Sequence, residues 1–184
     1  YGAVWTPSEE RIKKTNAWQL MQQHGFTTWD ELYNFSIKQG RKFWVETVRR
    51  LGIVFKNDYV PTEENIVDLS NLEWPKWLVG AKLNIIDSCF TAPKEATALI
   101  FKREGKEEIT RYSYGELNRM GNRAAGALVK MAMKPGDRIA IDLPMNVEAI
   151  VAYIGILKMG GVVVCLADSF KELDIEIRME VAKP

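Results

Sequence analysis

The chain has 184 residues, of which 47% are hydrophobic and 27% charged, with a net charge of +1. That length suits one domain or slightly more, and the composition is that of a globular protein. A balance of 25 Lys and Arg against 24 acidic residues offers no basic field for nucleic acid, and no apolar run reaches the ~18 residues of a membrane span.

Residue 1 is Tyr rather than Met, and the chain stops at Lys183-Pro184 just after a helical-looking segment. It reads as a piece of a longer protein, so absent targeting signals carry no information about compartment. Residues 1 to about 55 are expected to be helical. Thr6-Pro7-Ser8-Glu9 supplies a capping residue, Pro at the first helical position and Glu at the third, and predicts a helix to about His24, stopped by Gly25. Thr28-Trp29-Asp30-Glu31 repeats the capping pattern and predicts a short helix through about Ser36. Phe43, Trp44, Thr47, Val48 and Leu51 line one face of a third helix, closed by Gly52.

His24 is the single histidine. It is expected at a helix C-terminus, where its charge favours the last carbonyls, with no nucleophile or metal partner nearby in sequence. The tryptophans are expected to pack, because no stripe of basic residues is interleaved with them for stacking bases. Cys89 and Cys165 lack metal-ligand spacing and are expected to be buried thiols of a reducing compartment.

Residues 56–84 hold Pro61 and Pro75 without a sustained period and read as an ordered connector. Ile66, Leu69, Leu72, Trp74, Trp77, Leu78 and Leu83 are expected to be buried within it. A short helix is predicted in 85–95, ended by Pro93. Thr97–Lys102 and Glu107–Tyr112 predict a hairpin with Gly105 in its turn. Ser113-Tyr114-Gly115-Glu116 is a third capping box, and Leu117, Met120, Ala124, Leu128 and Met131 continue an amphipathic helix to about Met133.

The stretch from Gly136 to Leu166 organises the rest. Arg138–Leu143 is a short Ile-rich strand ended by Pro144. Asn146 caps a helix carrying Val147, Ile150, Val151, Ile154 and Leu157, and Gly160-Gly161 stops it before the strand Val162–Leu166. This is a βαβ unit, so its strands are expected to be parallel with a right-handed crossover. The helix is apolar almost all round and is expected to be covered on both sides, and the strands predict one sheet of about four. The turn at Leu143–Asn146 lacks the glycines that let a backbone approach phosphate, no G-x-x-x-x-G-K-[ST] is present, and no catalytic or metal-ligating residue is assigned.

Four stretches, in order, resemble the N-terminal part of the acetyl-CoA-synthetase-like acyl-activating enzymes of the adenylate-forming superfamily. They are Phe43-Trp44, then Trp77 through Asn84, then Ile109 through Asn122 with Tyr112-Ser113-Tyr114-Gly115-Glu116-Leu117, then Pro135 through Met145 with Glu148. Ala167-Asp168-Ser169-Phe170 looks most like the plant acyl-activating branch.

The resemblance implies an α/β fold: a helical N-terminal cap and connector over 1–84, then the start of an incomplete AMP-binding large domain over 85–184, holding its first βαβ layer. It implies an acyl-CoA synthetase of fatty acid metabolism that uses a small carboxylate, ATP, CoA and Mg2+. The compartment would be peroxisomal in the plant branch and cytoplasmic otherwise. Its catalytic motifs lie outside this chain, which alone is expected to be inactive and to bind none of these cofactors tightly. In many such enzymes a Gly-Gly-Phe after the second βαβ strand lies near CoA. Asp168-Ser169-Phe170 aligns there, so Ser169 and Phe170 are the candidate cofactor-binding residues. Read from the residues alone, the same stretch is a loop in which Ser169 caps the next helix. The alternative to the enzyme reading is a non-catalytic interaction module, with the tryptophan-rich helices docking a partner.

Overall fold

The computed structural model describes residues 4–184. The chain divides into two compact units: one from the N-terminus through Gly52 together with Tyr59–Ala81, the other Ile53–Asp58 together with Lys82–Pro184.

The first unit is built on four helices: α1 (Glu9–Lys13), α2 (Asn16–His24), α3 (Trp29–Lys38) and α4 (Gly40–Leu51). The single helix expected from Thr6 to His24 is two. Thr15 takes an extended conformation, and its hydroxyl accepts from the Trp18 N–H at 3.2 Å, so it starts α2 instead of continuing α1. A Thr hydroxyl competes for backbone donors in this way, which disfavours it inside a helix. Ser8, not Thr6, caps α1. Gly25 and Gly52 stop α2 and α4 in the left-handed region, at φ 69° and 62°.

Leu20, Met21, Leu32 and Phe35 form the core of this unit, with Ala17, Phe26 and Phe43 against it. His24 has a partner that the sequence did not show. Its Nε2 lies 2.6 Å from Glu46 Oε2, and its ring stacks on Phe26 and lies tilted against Phe35.

Polar contacts help join the 59–81 segment to α4. The Arg41 guanidinium donates to the Glu63 and Val67 carbonyls, and that of Arg49 to the Pro61 carbonyl. Two short strands, β1 (Val67–Asp68) and β2 (Lys76–Trp77), pair antiparallel where the sequence showed no regular structure. Ile66 and Val67 are buried, but Leu69, Leu72 and Trp74 are exposed. Trp77 is 49% exposed and Leu83, in the second unit, 40%, against the expected burial. Backbone bonds from Leu78 N to Ile66 O and from Val79 N to Asn65 O hold the segment alongside the buried Ile66 and Val67, so Leu69, Leu72 and Trp74 need no burial. The tryptophans also depart from expectation. Trp18 is half-buried, whereas Trp5, Trp29, Trp44, Trp74 and Trp77 are exposed.

The second unit contains α5 (Ile85–Cys89), the hairpin β3 (Thr97–Lys102) and β4 (Ile109–Ser113), α6 (Tyr114–Lys130), β5 (Arg138–Asp142), α7 (Val147–Lys158), β6 (Val162–Leu166) and α8 (Glu172–Ala182). Helix α5 is shorter than the expected 85–95, because Phe90 leaves the helical conformation as its C-cap and packs against Ile86, Leu117 and Ile154. Helix α6 begins with the expected capping box and ends three residues early, where Ala132 enters the left-handed region at φ 66°.

Strands β5 and β6 are parallel, in register from Arg138↔Val162 to Asp142↔Leu166. They do not share a sheet with the hairpin: β3–β4 and β5–β6 are separate two-stranded sheets, against the expected four. The hairpin lies against α6 and the parallel pair against α7, while α6 and α7 pack on each other. Ile86, Leu117 and Ile154 form the core, and α7 is contacted by α5, α6, β5 and β6. Both cysteines are exposed, not buried: Cys89 ends the short α5, and Cys165 lies one residue before the end of β6.

Candidate functional site

In doubly wound α/β units ligands bind outside the carboxyl ends of the parallel strands, where the strands hand over to loops. Here Asp142 and Leu166 are paired at that edge. The loop after β5 is Leu143–Asn146, and that after β6 is Ala167–Lys171.

The first loop is tight and apolar. The Asn146 N–H donates to the Pro144 carbonyl at 2.7 Å, and Asn146 Oδ1 accepts from the Ala149 N–H at 2.8 Å. The helix end that could offer donors to an anion is thereby partly used by its own cap. Leu143, Met145, Ile150, Tyr153 and Cys165 line an open cavity of about 200 Å³ beside it. That lining suits an apolar moiety and offers a phosphate few partners.

The second loop carries the two candidate residues. The Phe170 N–H donates to the Ala167 carbonyl at 2.9 Å, which closes a turn over Asp168 and Ser169. Both of these are exposed. Ser169 does not cap the next helix, as the residues alone suggested. The N-cap of α8 is Lys171, which makes no side-chain capping bond, and Ser169 lies two positions too early to reach the free N–H groups of the first turn.

The structure thus places Ser169 and Phe170 on one loop at the carboxyl end of β6. It also shows a neighbour that no motif marked. The Arg178 guanidinium lies over the Phe170 ring, 3.9 Å from its centroid. Seven residues and a helix start separate the two, so only the fold joins them.

Among the described residues no group of three His, Cys, Asp or Glu side chains could hold a metal ion. The carboxylates held below the ordinary range, Glu31, Glu64, Asp68 and Glu116, owe it to hydrogen bonds within caps and turns away from this edge. No chemical step is assigned to these residues.

Residues 87–184 match the family described as AMP-binding enzyme, and residues 29–89 match that described as acetyl-coenzyme A synthetase N-terminus. The chain belongs to the AMP-binding enzyme family. It is 30% identical, over 97% of its length, to the probable acyl-activating enzyme 18, peroxisomal, of Arabidopsis thaliana, and 27% identical, over 98%, to hexanoyl-CoA synthase of Cannabis sativa. It spans 26% and 27% of those relatives, about a quarter of their length.

Acetoacetyl-CoA synthetase from Streptomyces lividans superposes with a TM-score of 0.85 at 23% identity, over 98% of this chain and 29% of that one, a likeness of fold. This AMP-binding-enzyme chain is accordingly a mixed α/β N-terminal part: acetyl-CoA-synthetase-type helices first, then the opening βαβ layer of the AMP-binding domain.

Proposed function

We propose that the chain is the leading part of an ATP-dependent acid–thiol ligase. In the whole enzyme a carboxylate oxygen attacks the α-phosphorus of ATP, and pyrophosphate leaves with the bonding pair. The CoA sulfur, having given up its proton, then attacks the acyl carbon of the adenylate and AMP leaves. Mg2+ supplies charge neutralisation at the phosphates when bound. The observation that supports this reading is the unbroken succession of the two matched segments, 29–89 then 87–184, on a chain whose second unit forms a parallel βαβ layer.

Within that reading, residues 1–84 form the cap and connector and residues 85–184 begin the large domain. The loop carrying Ser169 and Phe170 faces CoA. Descent from the plant branch gives a peroxisomal enzyme of fatty acid metabolism, favoured by the likeness to two peroxisomal acyl-activating enzymes of Arabidopsis thaliana.

The test is ATP–pyrophosphate exchange with short and medium carboxylic acids, run on the 184-residue chain and on the chain extended to its natural C-terminus. The extended protein should exchange and the 184-residue chain should not. Equal exchange by both would place the adenylating groups inside residues 1–184. Inactivity of the extended protein with every acid would favour the interaction module.

A further inference from the structure

We propose that Arg178 is a positioning residue for the thioester-forming half-reaction: it fixes the Phe170 ring, and with it the 167–170 loop, at the carboxyl end of β6. The inference rests on the reading of that loop as the CoA-facing one.

Three observations carry it. The guanidinium is itself held on a second side, because Arg178 Nη1 donates to the Asp174 carbonyl at 2.9 Å and lies 3.7 Å from Asp174 Oδ1. A cation anchored one turn back along α8 is a fixed platform for the ring rather than a freely swinging one. Helix α8 buries none of its own residues, so it has no core to set its position against the loop. The Arg178–Phe170 stack is a side-chain link that does so. Finally, Arg178 is the one cation in α8, among Glu172, Asp174, Glu176 and Glu180. No other residue of the helix can therefore give the Phe170 ring a cationic partner. A planar guanidinium can lie flat on a ring in a way an ammonium cannot.

The experiment uses the full-length enzyme and separates its half-reactions. Pyrophosphate exchange reads adenylation, and thioester formation at varied CoA gives KM for CoA. Arg178→Met should raise that KM about 2- to 30-fold, the range one cation–π contact supports, with exchange unchanged. Arg178→Lys should fall between wild type and Met. In a Phe170→Ala background, Arg178→Met should add nothing.

A parallel loss of exchange, thioester formation and thermal stability in Arg178→Met would reduce the residue to a structural one and overturn the proposal. So would independent, additive effects of the two substitutions. Phe170→Ala with an unchanged KM for CoA would sink the CoA reading of the loop itself. A raised KM in Phe170→Ala with none in Arg178→Met would sink the positioning role alone.

Discussion

Gly121 of α6 lies directly against Ile154 of α7: a Cβ built on the glycine would overlap Ile154 Cγ2. The contact is reciprocated one residue on, where a Cβ on Gly155 would come 2.6 Å from the Ala124 Cβ. Two glycines, one on each helix, let the backbones approach. Gly121→Ala and Gly155→Ala should each cost about 1–3 kcal/mol, the usual penalty for forcing extra volume into a close-packed contact. Gly126, also in α6, has open space around its Cβ position. Gly126→Ala should be neutral or stabilising by up to about 1 kcal/mol, since alanine loses less freedom on folding. Urea denaturation of the three variants checks the ordering, and a penalty at Gly126 equal to that at Gly121 would refute it.

The Ser113–Glu116 box is a second test. Ser113 Oγ accepts from the Glu116 N–H at 3.2 Å, while Glu116 Oε2 accepts from the Ser113 N–H at 2.9 Å. Ser113→Ala should cost about 0.5–2 kcal/mol, read as a shifted denaturation midpoint with an unchanged slope.

The same box makes a prediction about pH. The Ser113 backbone N–H, and after it the Ser113 hydroxyl, hold the Glu116 carboxyl below the ordinary glutamate range, and Thr27 and Thr28 do the same for Glu31. A carboxyl depressed in the folded state contributes stability above its unfolded value, about 4.3, and loses it as pH falls through the lower folded value. Melting temperature should therefore drop on acidification below about pH 4.3. Glu116→Gln, which keeps the acceptor but cannot titrate there, should flatten that drop in the second unit. An unchanged acid limb would count against the box as its source.

In the helical unit the His24–Glu46 contact joins α2 to α4, with both side chains largely shielded. Glu46→Ala leaves the imidazole between Phe26 and Phe35 without its partner. It should cost about 1–3 kcal/mol, the usual penalty for an orphaned, mostly buried polar group. Glu46→Gln, which can still accept, should cost less. Tryptophan fluorescence during denaturation reads both, and equal losses would show that side-chain volume rather than the polar contact matters.

Trp77 should prove less important than its sequence suggested. A core tryptophan cut to alanine costs about 3–5 kcal/mol. Trp77 is half exposed and meets Trp44 edge-on, with ring centroids 5.3 Å apart. An aromatic pair of this kind contributes about 0.5–1.5 kcal/mol beyond the area it buries, so Trp77→Ala should cost less in urea denaturation than a core tryptophan would.

The elements best read from sequence were those with a local mechanism. Asn146 caps α7 and Ser113 caps α6 as expected, and the Ile-rich and Val-rich runs became β5 and β6. What escaped depended on which of several competing partners a group takes, near or far in the chain. Thr15 looked like a mid-helix residue until its hydroxyl took the Trp18 donor. Of the apolar residues of 65–79 only Ile66 and Val67 are buried, and backbone bonds to Asn65 and Ile66 hold the rest of that segment. At the candidate site the loop Asp168-Ser169-Phe170 was visible as a motif, whereas Arg178 was one basic residue on an acidic helix until the turn after β6 brought it over the ring.

All six tryptophans, Trp5, Trp18, Trp29, Trp44, Trp74 and Trp77, fall in the helical unit, and both exposed thiols, Cys89 and Cys165, fall in the βαβ unit. Each half of the molecule therefore carries its own reporter without engineering. Indole emission follows the melting of the first unit alone. Thiol-reactive dyes, placed at the end of α5 and near the end of β6, follow the second. A single sample titrated with denaturant would show on two channels whether the halves unfold at one midpoint or two.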